Sequence, residues 1–366
     1  MIIINKLVIR VVVCALMFTL LSGCSSMYAK QALKHNNTEL IDKYIRYIDN
    51  YLTNENEFVF NNASELNVET LYEFIHFIDY KDKLNIVKYD DGKYYLTQHG
   101  AKWLLERYFK TYRFNEKDMI SYDHAQKVFI GPKRKYDFIK KELECIYLSN
   151  KQVTGGNLIL VADYYDPFDI NKLNKLYSKT YTIKLTKEAY KYISVTKTLN
   201  ENLQQSIKQK DESFYINYYI KPFVNAGLAK YSWNKAEQID ANDLLAYASI
   251  PFLNANINYD DYLKEDNFLH IPAELIEKQL NKKFDLPENF LKLTNAYNAL
   301  ENCFVGNFTI DTSYNPVIEL RDFTLAGENM QIVFTVKETS GNNSKNVTLN
   351  IVEHDKGFKY ISCEMK

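Results

Sequence analysis

Tyr190-Lys191-Tyr192-Ile193-Ser194-Val195 and Gly357-Phe358-Lys359-Tyr360-Ile361-Ser362-Cys363 share the run Lys-Tyr-Ile-Ser, and each closes a series of short, strand-like segments. Upstream of both, further features recur in the same order. Ile45-Arg46-Tyr47 corresponds to Ile216-Asn217-Tyr218, and Phe58-x-Phe60-Asn61-x-Ala63 to Tyr231-x-Trp233-Asn234-x-Ala236. Leu66-Asn67 matches Ile239-Asp240, Leu71 matches Leu244, and Phe74 matches Tyr247. Two apolar-periodic helices follow, over residues 98–109 and 272–284. The spacing predicts an internal duplication of residues 45–197 and 216–366.

Each copy reads as helices followed by strands. In the first, Asn67 or Ser64 is an N-cap for a helix over residues 68–80, whose Leu71, Phe74, Ile75 and Ile78 repeat at three- and four-residue spacing. Thr97 caps a second helix, in which Ala101, Leu104, Leu105 and Phe109 make an apolar stripe. In the second copy Asp240 precedes a helix over 242–248. Pro272 opens another, with Leu275, Ile276, Leu280 and Phe284 on one face. Strand segments at 143–148, 158–164, 181–185 and 192–196 occupy places like those of 317–325, 331–336, 347–352 and 360–363. Gly, Asn and Asp between them point to antiparallel meanders. Helices first and strands later define an α+β class: two related domains, each with helices packed on one face of a sheet. The expected organisation is a leader over 1–23, a tether over 24–38, a first domain over 39–197, a polar linker or connecting helix over 198–215, and a second domain over 216–366.

The N-terminus gives an address. Lys6 and Arg10 precede an apolar run over residues 11–21, too short to span a bilayer, and Leu21-Ser22-Gly23-Cys24 closes it. This order of charge, apolar run, small residues and cysteine resembles the lipobox of bacterial lipoproteins. The resemblance implies cleavage before Cys24 and attachment of diacylglycerol to its thiol. Two or three acyl chains anchor stably, at roughly 0.8 kcal/mol per buried methylene. The expected location is the extracytoplasmic face of a cell membrane. The remainder of the chain is similar only to uncharacterised lipoproteins of low-GC bacteria.

Composition narrows the classes. A net charge of −1 over 366 residues argues against a nucleic-acid partner. Thirty tyrosines and 21 phenylalanines supply core and inter-element packing, or a ring-lined groove for peptide or sugar. With Cys14 in the leader and Cys24 lipidated, Cys145, Cys303 and Cys363 remain. Buried free thiols are the expected state, with a Cys303–Cys363 disulfide, which secretion permits, as the alternative. None of the three belongs to a C-x-x-C pair or lies near a histidine in sequence, so no zinc site is expected from them.

Gly155-Gly156 lies between strands and reads as a hairpin turn, and the chain has no phosphate-binding glycine loop and no G-x-S-x-G elbow. Ser194–Lys197 and Ser232–Lys235 have a serine-lysine spacing without companion motifs. His35, His76, His99, His124, His270 and His354 are scattered. Gly92-Lys93-Tyr94-Tyr95-Leu96-Thr97 is best read as a strand entering a capped helix rather than a winged-helix element. One carboxylate run, Asp163-x-x-Asp166-x-x-Asp169, offers oxygen donors of the kind calcium takes, in a segment that also suits an ordinary polar turn.

The expectation is therefore a non-enzymatic, cofactor-free lipoprotein whose partners are the membrane, through Cys24, and an envelope protein, peptide or glycan. An envelope hydrolase built from spatially assembled acids, or a structural assembly factor, is the alternative.

Overall fold

The computed structural model of the chain describes residues 26–49, 58–66, 71, 74–75, 78–79, 84, 86–90, 93–109, 122–123, 125–132, 145–187, 189–200, 210–254, 262–307, 316–337, 344–354 and 357–366. The leader, Cys24, the Asn67 cap and residues 201–209 of the expected linker lie outside these. Among the described residues no helix is long and apolar enough to cross a membrane.

The class is α+β, with four antiparallel sheets. The first holds β1 (Val87–Asp90), β2 (Lys93–Thr97), β3 (Tyr122–Asp123) and β4 (Val128–Pro132), in the order β1-β2-β4-β3. The second is a meander of β5 (Cys145–Thr154), β6 (Asn157–Tyr165), β7 (Lys175–Leu185) and β8 (Tyr190–Leu199). The third joins β9 (Leu269–Pro272), β10 (Tyr297–Asn298) and β11 (Cys303–Gly306), in the order β10-β11-β9. The fourth is a second meander, of β12 (Val317–Ala326), β13 (Asn329–Lys337), β14 (Ser344–His354) and β15 (Gly357–Met365).

Period-two burial explains both meanders. Leu158, Leu160 and Ala162 on β6 and Met330, Ile332 and Phe334 on β13 are buried alternately with more exposed neighbours. The turns before β6 and β13 use Gly155, Gly156 and Gly327 at φ of +58°, +78° and +66°, a region where a Cβ is strained.

The duplication extends to individual hydrogen bonds. Tyr192 Oη donates to the Tyr44 carbonyl at 2.9 Å, and Tyr360 Oη to that of Tyr219 at 2.7 Å. Phe60 bridges Val195 as Trp233 bridges Cys363. The amide of Asn61 donates to the Glu65 side chain as that of Asn234 does to Gln238, 2.9 and 2.8 Å. Gln98 N donates to the Lys127 carbonyl as Ala273 N does to that of Asn302.

One sequence match is corrected. Asn36 and Asp211 are the equivalent N-caps, each followed by one α-turn and a π-turn, Ile41–Ile45 in the first copy and Ile216–Ile220 in the second. The true partner of Ile216 is Ile41, one helical turn before the Ile45 that sequence matching selected. Apolar residues at four-residue spacing make neighbouring turns interchangeable to the eye.

The helix Gln98–Tyr108 begins at Thr97, whose Oγ1 accepts the Gly100 amide at 3.1 Å, and buries Ala101, Leu104 and Leu105. Its counterpart Ala273–Asn281 buries Leu275, Ile276 and Leu280. The expected short helix after Asp240 runs further, over Ala241–Asn254. Residues 26–32 of the expected tether are helical, with Ala29 and Ala32 buried.

Two compact units result. The first comprises the described residues of Met1–Lys141, Leu148–Asp163 and Ser178–Thr198; the second comprises those of Glu142–Tyr147, Tyr164–Tyr177 and Leu199–Lys366. Among the described residues, the aromatic side chains are chiefly core. In the second unit Tyr360 packs against Phe223, Phe284 and Phe358 at 4.9, 5.4 and 5.0 Å between ring centroids. Phe168 stacks on Tyr247 at 4.7 Å, so the turn after β6 contributes to the second unit's core.

Candidate functional site

The aspartate run is not gathered round one point. Asp163, on β6, accepts the Ser178 hydroxyl at 2.6 Å across to β7. In the duplicated meander the same places hold Thr335 on β13 and Asn346 on β14, again joined, at 3.0 Å. A cross-strand polar pair is thus part of the scaffold in both copies. Asp166 is buried and receives the ammonium of Lys283, whose side chain is 1% exposed. Lys283 also lies 3.6 Å from the centroid of the Phe358 ring. The Asp166 Oδ1 atom accepts the Phe168 amide at 2.9 Å, shaping the turn. Asp166 is therefore paired with a lysine within a polar turn, the plainer of the two readings that the spacing allowed.

Gly357 lets the backbone approach this pair. Its φ is +137°, and a Cβ there would sit 3.0 Å from Asp166 Oδ2. Burial pushes the Lys283 ammonium below the ordinary lysine range, against the pull of Asp166. Glu353 is raised by burial, and the Tyr219 hydroxyl that donates to it works the other way. Asp169 is pushed up to about 6, first by burial and further by the charge of Asp166, although the Asn174 amide at 2.8 Å favours its anion.

A raised folded-state carboxyl pKa gives stability that is complete below the unfolded value and lost as pH rises through the folded one. Between pH 4 and 6 this titration therefore removes up to about 3 kcal/mol. Asp169→Asn keeps an acceptor for the Asn174 amide and abolishes the titration. The variant should show a flatter melting temperature from pH 4 to 6.5 and a higher one than wild type at pH 7.5. Parallel curves would refute the assignment.

A second cluster lies on the small sheet of the second unit. Val305 on β11 pairs with His270 on β9, so Cys303, two residues earlier, shares the His270 face as its diagonal neighbour. Cys303 Sγ is 3.8 Å from His270 Nδ1 and 3.6 Å from Glu301 Oε2. Glu301 Oε2 lies 2.8 Å from His270 Nδ1 and accepts Lys264 Nζ at 2.5 Å. The other ring nitrogen, Nε2, lies 2.8 Å from Asp266 Oδ2. The turn that presents Glu301 is fixed by Asn298, whose Oδ1 accepts the Leu300 and Glu301 amides at 3.0 and 3.3 Å.

The two carboxylates raise His270, Asp266 most, and Lys264 together with His270 holds Glu301 down at about 2. Burial and then Glu301 push the Cys303 thiol up. The arrangement thus favours an imidazolium between two carboxylates and a protonated thiol, the opposite of an activated nucleophile.

Cys145, Cys303 and Cys363 are all buried, and none is in a disulfide. The Cys303–Cys363 bridge does not form: Cys303 is on β11 of the small sheet, while Cys363 is on β15 of the meander, where it bridges Trp233. Burial raises the Cys363 thiol to about 12.

Sequence reading missed both clusters. Lys283 is 117 residues from Asp166, and His270 and Cys303 are 33 apart. Only the pairing register of residues 269–272 with 303–306 brings the latter two together. A scan against protein-family models finds no match to the chain, and a search of curated proteins finds none.

Proposed function

We propose that the chain is a lipid-anchored extracytoplasmic lipoprotein whose two related units form a non-catalytic binding module for an envelope protein, peptide or glycan. The observation that carries this reading is the duplicated scaffold downstream of the Leu21-Ser22-Gly23-Cys24 lipobox. Two copies of one fold on one anchored chain offer two related surfaces, and two weak contacts reinforce each other where geometry admits both. The buried acids support it further. Asp166 and Glu353 are engaged by Lys283 and Tyr219, so both carboxyl groups are committed to holding the second unit.

Two arms test the reading. Cys24→Ser should move the chain from the membrane to the soluble fraction and abolish incorporation of labelled palmitate; retained label overturns the anchor. The full chain in detergent should bind isolated cell-wall glycan or cross-link to envelope protein saturably. Failure of both overturns the binding role, and release of soluble sugar or peptide from the wall would favour a hydrolase instead.

A further inference from the structure

We propose that His270, Cys303 and Glu301 bind one divalent transition-metal ion of the zinc class on the small sheet of the second unit. The three ligand atoms all lie within 4.8 Å of one another. Tetrahedral bonds of about 2.0–2.3 Å place neighbouring ligands about 3.6 Å apart. The sulfur already meets that spacing, at 3.8 Å from Nδ1 and 3.6 Å from the carboxylate. Only the 2.8 Å contact between Nδ1 and Oε2 must open. One imidazole, one thiolate and one carboxylate form the borderline-soft donor set that suits zinc over calcium or magnesium.

The surroundings match a metal-bound histidine. Asp266 holds Nε2 at 2.8 Å, as an orienting carboxylate does when Nδ1 faces the ion. Lys264, whose side chain is 51% exposed, places its ammonium on Glu301 and can swing into solvent as the ion replaces it. On binding, the Cys303 thiol and Nδ1 of the His270 imidazolium each release a proton to solvent; the sulfur bonds as thiolate, and the ring stays protonated at Nε2 towards Asp266. Three protein ligands leave a fourth position for water or an external donor.

The duplication separates this cluster from the needs of the fold. The same scaffold in the first unit pairs β2 with β4 as β9 pairs with β11, and Asp123 Oδ1 accepts the Ala125 and Gln126 amides as Asn298 does those of Leu300 and Glu301. There, Tyr95, Gln126 and Val128 stand where the second unit has His270, Glu301 and Cys303. The donor set belongs to one copy alone.

The test uses the full chain in detergent, stripped with chelator and titrated with Zn²⁺ by calorimetry and with Co²⁺ by absorbance. One ion per chain and a thiolate-to-cobalt charge-transfer band are expected. Cys303→Val should remove the band. Asp266→Asn should weaken binding about 10–100-fold while keeping it. H270Y/E301Q/C303V, the first unit's own residues, should abolish binding with the circular dichroism spectrum unchanged; if that variant fails to fold, Cys303→Ser is read in its place. Zn²⁺ should also slow alkylation of Cys303. A cobalt spectrum lacking the thiolate band, binding unaffected by the swap, or alkylation equally fast with and without Zn²⁺ would each overturn the site.

Discussion

Lys283→Met is expected to destabilise the second unit by about 3–5 kcal/mol. The side chain is 1% exposed, its ammonium is bonded to Asp166, whose side chain is 4% exposed, and Phe358 covers it. Methionine fills much the same volume, so little cavity forms and the loss is electrostatic: a buried carboxylate keeps its charge without its ammonium, or takes up a proton. Gly357 prevents easy repair, because its backbone passes close to both groups. Asp166→Asn should be similarly costly, leaving the ammonium buried without its anion. The double variant should lose less than the sum of the two, since a pair removed together leaves neither charge behind. Urea unfolding monitored by tyrosine and tryptophan fluorescence measures the cycle. Additive losses would show that the two groups do not interact, and a Lys283→Met loss below about 1 kcal/mol would show that the ammonium is solvated.

The α+β class and the two meanders were legible because they rest on local periodicity. Leu158, Leu160 and Ala162 alternate as a half-buried strand must, and Leu71, Phe74, Ile75 and Ile78 recur as a buried helix face must. The duplication was legible for the same reason, down to the Phe60 and Trp233 positions that make matching bridges. The first helix slipped by a turn because its apolar repeat looks alike in either frame.

The sites lay beyond such reasoning. Lys283 follows Lys282 at a helix end, where a basic residue ordinarily meets the helix dipole in solvent, and nothing local says that it points inward to Asp166. His270 and Cys303 are joined only by strand register, which short strands of four residues specify weakly. Aspartate spacing suggested a metal in one place, while a donor set formed in another from residues with no spacing signature.

The duplication itself supplies the last prediction. In the first unit Asp49 holds Lys179 at 3.2 Å and accepts the Tyr181 hydroxyl, all in the interior. In the second unit the equivalent places are Val224, Val347 and Leu349, all buried and apolar. The correspondence follows from the matched helix caps for Asp49 and from alternate burial along β7 and β14 for the others. One scaffold therefore carries a polar and an apolar solution at the same three positions. Lys179→Val alone should cost the first unit about 3–5 kcal/mol, because the Asp49 carboxylate loses this cation in a dry environment. Asp49→Val, Lys179→Val and Tyr181→Leu together should be neutral or stabilising by about 1–4 kcal/mol, as replacing a whole buried pair by packed apolar residues often is. Urea unfolding of the single and triple variants measures the contrast. A triple variant as unstable as the single one would show that this network shapes the first unit in a way its sister does not require. Recovery in the triple would show that the scaffold tolerates either chemistry, and that polar groups set into one copy, at Asp49 as at His270 and Cys303, are additions to a fold that stands without them.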